Sequence, residues 1–200
     1  MIQFYTTKDT HGYMSNFARF PVTIDGKMWM TSEHYYQAQK WVGTPHEDKI
    51  FNAPNPKAAA MLGRKTGVMG EHRWEFYDMR SDWDSVKDDV MRFIVLWKFL
   101  QHPDIQKKLL DTGDEPIFEH STKDSYWADG GDRSGKNMLG VILMEVREIL
   151  RAEIEFWDSA AGMVIRATTG NDHSTPFGDP NDFRNMMSPV SEYLDSLKKF

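Results

Sequence analysis

The sequence contains no cysteine. That excludes disulfides, thiolate metal centres and cysteine nucleophiles, and it fits a reducing compartment. There is no uninterrupted apolar run of the ~18 residues a membrane-spanning helix needs, and charged residues make up 27% of the chain, so no span is expected. The opening MIQFYTTKDTHGY has neither a basic n-region nor an apolar h-region, so no secretory signal is expected and the cytoplasm is the expected location. A surplus of positive charge is also missing: 24 Lys and Arg stand against 30 Asp and Glu, a formal charge of -6. A protein that grips a long stretch of nucleic-acid backbone usually needs a basic face to displace counterions. The global balance speaks against that, although it leaves room for a local basic pocket for one phosphorylated ligand. The histidines, among them His34, His46, His72 and His120, show no HExxH or other metal-ligand spacing, and neither GxSxG nor GxxxxGK[ST] occurs. No metal and no other cofactor is expected.

What is present is enough apolar material, 40% hydrophobic residues in 200, for one substantial core. The patterning predicts a helix-dominated α+β fold, a single domain with a few short strands. IQFY at the start, the alternating Phe20, Val22 and Ile24 closing on the Asp25-Gly26 turn, and Ile117 to His120 read as strands. Helices are predicted from Thr31, with Thr31 or Ser32 as N-cap and a stop at Gly43-Thr44-Pro45, then over 46–52, over 56–65 and over 104–110. The clearest runs over 83–100, where Val86, Val90, Phe93, Ile94, Trp97 and Leu100 fall at helical spacing. Its FIVLWKFL run is apolar on most sides, which places this helix at the centre. A last long helix is predicted from about Lys136 to Trp157. The domain is expected over 1–157. From 158 the composition turns to Gly, Ser, Thr, Asn, Asp and Pro, so 158–200 reads as a C-terminal extension with a final short amphipathic helix, VSEYLDSLKKF.

Chemistry concentrates between Glu33 and Lys40. Seven residues of α-helix turn through about 700°, roughly 20° short of two full turns. Glu33, Tyr36 or Gln37, and Lys40 therefore share one face, with Glu33 and Lys40 about 10.5 Å apart along the axis. Their side chains are long enough to converge on one ligand. Glu33 lies in the first turn, where the helix dipole favours a carboxylate. Lys40, between aromatic neighbours and Trp41, would have a lowered pKa in dry surroundings and could then act as base or nucleophile. An ordinary solvated helix face is the competing reading. A second candidate is the loop WADGG at 127–131 leading through Gly135-Lys136-Asn137 into a helix, where backbone N–H groups and a lysine could cradle a phosphate. Capping and turn chemistry account for those residues equally well. Ser15 and Asn16 lie in a turn-rich loop beside Phe17, and Asp82 or Asp84 reads as a cap of the central helix. Aromatics are plentiful at 13% with seven Trp; most belong to the core, a few are available to stack on a flat base.

Six blocks occur in one order: GYMSNF at 12–17, DGKMWMTSEHYYQAQKW at 25–41, AAAMLGRK at 58–65, RSDWDSVKDDVM at 80–91, LLDTGDEPIFEHS at 109–121 and YWADGGDRSGKNMLGVILMEVR at 126–147. In this series the chain resembles the NADAR family, over roughly residues 2–151. The resemblance implies an N-glycosidase that hydrolyses a ribose C1–N bond. It implies as substrate a phosphorylated N-riboside, of the aminopyrimidine intermediates of riboflavin biosynthesis, or an ADP-ribosylated base, with contact to modified nucleic acid in the latter case. An ADP-ribosyl-guanine hydrolase acting on DNA or RNA, and a non-catalytic sensor of ADP-ribose or NAD, are the alternatives. Carried over by position, it implies Glu33 and Lys40 as catalytic residues, and Ser15, Asn16, Trp127, Asp129, Lys136 and Asn137 as substrate-binding residues, to which the shared helix face adds Tyr36. Ala128 departs from the family pattern, which more often has Gly after the Trp.

Overall fold

The computed structural model describes residues 1–69, 72–75, 78–169 and 189–197. The chain divides into two compact units, one over Met1–Val146 and the other from Arg147.

The first unit is a helix-dominated α+β assembly. Strand β1 (Ile2–Phe4) pairs in parallel with β6 (Ile117–Glu119), Ile2 opposite Ile117 and Phe4 opposite Glu119, so most of the unit is the connection between two neighbouring strands. Strands β2 (Val22–Ile24) and β3 (Lys27–Trp29) form a hairpin. The Asp25-Gly26 pair takes positive φ at both residues, as a two-residue turn between twisted strands requires. The partner strand β3 is not legible from the sequence because its three residues are too few to show alternation. A second hairpin, β4 (Thr66–Met69) and β5 (His72–Glu75), lies where the sequence shows no strand period either.

Helix α1 (Ser32–Ala38) begins at Thr31, whose hydroxyl accepts the His34 N–H, and then tightens into a 3-10 turn at Gln39–Trp41. Helices α2 (Pro45–Phe51) and α3 (Pro56–Leu62) each start with Pro in the first turn behind a capping side chain, Thr44 and Asn55. That is where a missing N–H does no harm. Helix α3 stops at Leu62, before the predicted Lys65, with Gly63 as its cap.

Helix α4 (Trp83–Gln101) is central as predicted; Val90, Ile94, Val95, Leu96 and Phe99 are buried, and α1, α5 (Pro103–Leu110) and β2 pack on it. Asp82 occupies the N-cap position of α4, but its side chain accepts no capping hydrogen bond. Its carboxylate instead grips the Arg80 guanidinium at 2.6 and 2.8 Å, and its carbonyl accepts from Ser85 and Val86. The charged partner two residues away outcompetes the amide donors of the first turn.

Helix α6 (Met138–Thr169) starts after the predicted Lys136 and runs on past Trp157. The Ala and Met residues there propagate a helix and no Pro interrupts it. Within the second unit, helix α7 (Pro189–Leu197) forms where the final amphipathic piece was predicted, and the Val190 N–H donates to the Glu153 carboxylate at 3.0 Å. The stretch 170–188 of the expected extension lies outside the described residues. Among the described residues no helix is long and apolar enough to cross a membrane.

A lysine sits inside the core of the first unit. Lys98 is 1% exposed and donates to the carbonyls of Tyr13 and Ser15, which pins the loop after β1 onto α4. Burial pushes its ammonium down from 10.5 to about 7. Between those two values the unfolded chain binds more protons than the folded one, so this group makes stability rise with pH across that window and contributes no slope below it. Urea midpoints followed from about pH 6 to 10 should climb more for the wild type than for Lys98→Met; parallel curves would contradict this.

Candidate active site

A cavity of about 630 Å³ opens between α1, α3, α4 and the loops after β1 and β6. That volume suits a ligand of nucleotide size. Of the residues singled out in the sequence, Ser15, Asn16, Glu33, Tyr36, Lys40 and Trp127 line it. The first loop meets α1 through one hydrogen bond, in which the Glu33 N–H donates to the Asn16 carbonyl at 3.1 Å. At the other end the Arg80 N–H donates to the Lys40 carbonyl at 3.0 Å. The tightening of α1 changes the angular relation little. Five α steps and two 3-10 steps turn through about 740°, roughly 20° past two turns, so Glu33 and Lys40 keep a common face.

Glu33 is buried and Lys40 is half-buried. Desolvation raises the Glu33 pKa although Gln37 and the Lys40 charge pull the other way. The dipole argument from the sequence, which favoured the ionised form, is outweighed by burial. Lys40 is shifted down by desolvation, against the attraction of Glu33 and together with Arg64. Its Nζ lies 5.6 Å from the Tyr36 ring centroid and 5.4 Å from that of Trp83, and 3.5 Å from the Gly63 carbonyl. The pair is thus displaced toward carboxylic acid plus free amine, a proton donor beside a nucleophile.

Gln37 Nε2 donates to Glu33 Oε1 at 2.8 Å. Its own Oε1, like Asn16 Oδ1, is buried without a hydrogen-bond partner among the described residues. An unsatisfied buried acceptor costs about 1–3 kcal/mol, and both residues line the cavity. A Cβ at Gly63 would collide with the Gln37 side chain. That is the packing reason for a small residue at the end of α3. Positive charge enters the cavity on Arg64 and on Lys87, whose Nζ is 3.2 Å from the Asp84 carboxylate. Tyr36 packs edge-on against Trp83 and Trp127 at 5.1 and 5.4 Å, forming a rigid aromatic wall. Gln37, Arg64, Trp83, Lys87, Glu119 and Asp124 are lining residues that the sequence reading did not list as ligand contacts; for Glu119 and Asp124 no local pattern signals it.

Asp129, Lys136 and Asn137 stand outside the lining. Asp129 is fully buried and holds the late loop together by accepting from the N–H groups of Ser121 and Gly131 and pairing with His120 at 2.8 Å. Asn137 takes positive φ and its amide bridges the Glu119 N–H and the Ile117 carbonyl. Lys136 is exposed, with Nζ 4.8 Å from the Tyr126 ring. Backbone N–H groups of the candidate phosphate cradle are already engaged, in line with the turn-and-cap reading. The N–H groups of Gly130, Gly135, Lys136, Asn137, Met138 and Leu139 are all spent on carbonyls of the loop itself. Among the described residues no three His, Asp or Glu side chains are grouped to hold a metal ion.

Residues 3–151 match the family model described as the NADAR domain. The chain is 42% identical over 153 residues to N-glycosidase YbiA of Escherichia coli (strain K12), covering 76% of this chain and 90% of that protein. It is 43% identical over 153 residues to N-glycosidase Npun_R5314 of Nostoc punctiforme, covering 75% and 92%. It is also 42% identical over 164 residues to riboflavin biosynthesis protein VVA0006 of Vibrio vulnificus, covering 80% of this chain and 42% of that protein. The solution structure of E. coli YbiA superimposes with a TM-score of 0.64 at 43% identity, over 75% of this chain and 84% of that one.

Proposed function

The chain belongs to the NADAR family and is an N-glycosidase, and on that footing we propose that it hydrolyses the ribose C1–N bond of a phosphorylated aminopyrimidine riboside, the substrate type of riboflavin synthesis. The observation that carries this reading is the pair Glu33 and Lys40, shifted together toward their neutral forms on one wall of a nucleotide-sized cavity. The relative from Vibrio vulnificus, named for riboflavin biosynthesis, supports the substrate class.

The ribosyl C1 is at the aldehyde oxidation level, so an amine can take the place of the base. Glu33 gives its proton to the ring oxygen as the C1–O bond opens, and the Lys40 amine adds to C1. Loss of the base leaves C1 joined to Lys40 Nζ as a Schiff base, which water hydrolyses to the sugar phosphate and free Lys40. Asn16 Oδ1 accepts from a sugar hydroxyl, Ser15 and Tyr36 bound the sugar, and Arg64 and Lys87 attract the phosphate. Such charged substrates do not leave the cell unaided, which makes the cytoplasm the working compartment.

Product analysis by mass spectrometry tests the reading. The protein is incubated with a ribosylaminopyrimidine phosphate, with ADP-ribosylated guanosine and with ADP-ribosylated DNA. Release of ribose 5-phosphate and free pyrimidine from the first is expected. Turnover confined to the ADP-ribosylated substrates, or binding with no product from any of them, would overturn it.

A further inference from the structure

A second cavity, of about 990 Å³, adjoins the active site, and the two share Ser15, Phe17, Glu119 and Asp124 as lining residues. Its other walls carry the rings of Tyr5, Tyr13 and Phe20, the hydroxyls of Thr6, Thr10 and Ser121, and at the rim the charged Asp9, Arg19 and Lys108. Flat rings with polar groups at their edges suit a planar nitrogen heterocycle. Glu119 stands in the partition, facing both spaces.

The strand end that carries Glu119 is fixed with unusual care. Its N–H donates to Asn137 Oδ1 at 3.0 Å and its carbonyl accepts from the Asp129 N–H at 2.9 Å. The same Asn137 amide donates to the Ile117 carbonyl at 2.8 Å, and the β1 pairing holds the strand from the other side. Asp129 and Asn137, which the motif series singles out and the cavity lining omits, therefore converge on the backbone of one residue.

We propose that Glu119 is a further catalytic residue, the acid that delivers a proton to the departing base, and that the second cavity receives that base while Asp129 and Asn137 act as positioning residues for the acid. This rests on the N-riboside reading above. In the step concerned, the C1–N bond breaks and its electron pair goes to nitrogen. That nitrogen takes the Glu119 proton, while the Lys40 nitrogen lone pair completes the Schiff base. When water adds to C1, its proton returns to the Glu119 carboxylate, and nothing else is consumed. Burial, with the charges of Asp124, Glu33 and Asp129, pushes the Glu119 carboxyl up to about 8, so at neutral pH it holds the proton a donor needs.

The test is a series of ribosylaminopyrimidine phosphates whose leaving amines range from basic to nitro-substituted. For Glu119→Gln the expected loss in kcat is about 10³-fold with the most basic leaving group and under about 10-fold with the nitro-substituted one. Glu119→Asp, which keeps the acid, should restore part of the loss. Asn137→Ala should show the same leaving-group dependence at smaller amplitude, which a general loss of stability would not produce. An equal loss along the series for Glu119→Gln and Glu119→Asp, or no loss at all, overturns the proposal. A wild type that cleaves no member of the series removes the aminopyrimidine reading and this proposal with it, before any variant is made.

Discussion

Lys40→Ala should reduce kcat by at least about 10³-fold while the protein stays folded, because the reaction loses its nucleophile rather than a binding contact. The amine sits among Tyr36, Trp83 and the Gly63 carbonyl, with no carboxylate of the described residues in direct contact, so its removal leaves no buried ion pair broken among them. A desolvated ammonium contributes little to stability, and a melting temperature equal to or above that of the wild type is expected. Lys40→Arg separates charge from nucleophilicity. Guanidinium keeps the charge and stays protonated, so it cannot add to C1; this variant should be as inactive as Lys40→Ala. Activity in Lys40→Arg near the wild-type level would mean that the cation only attracts the substrate.

Glu33→Gln should lose about 10²- to 10⁴-fold in kcat, the usual contribution of a positioned acid or base. The replacement is isosteric, and the Gln37 amide can still reach the oxygen that remains, so the fold should tolerate it. Activity in Glu33→Gln near the wild-type level would make Glu33 a residue that only binds.

Both residues are legible in the sequence because their relation is local. A cap at Thr31 sets the start of α1, the helical period puts positions 33, 36, 37 and 40 on one face, and the 3-10 turn at the end disturbs that face by only a few tens of degrees. The Asp25-Gly26 turn and the apolar period of α4 are legible for the same reason. What is local to a motif but decided by tertiary contact is not. Asp129, Lys136 and Asn137 have the residue types of ligand-binding groups, yet Asp129 and Asn137 turn inward to satisfy backbone that would otherwise be buried unpaired. Conversely, Arg64, Lys87 and Glu119 reach the cavity from the segment after α3, from α4 and from β6. Each lies in one of the ordered blocks, but no local period marks it as a lining residue. Lys98 shows the same limit in the core. Within FIVLWKFL it reads as the one polar interruption of an apolar run, and only the fold reveals the two carbonyls it ties down.

Borohydride reduction during turnover, followed by peptide mass spectrometry, tests the central claim most directly. With a ribosylaminopyrimidine phosphate as substrate, the reduced sugar phosphate should be found on the peptide containing Lys40 and on no other, in proportion to the activity lost. Uninterrupted product release under borohydride, with that peptide unmodified, would contradict the account.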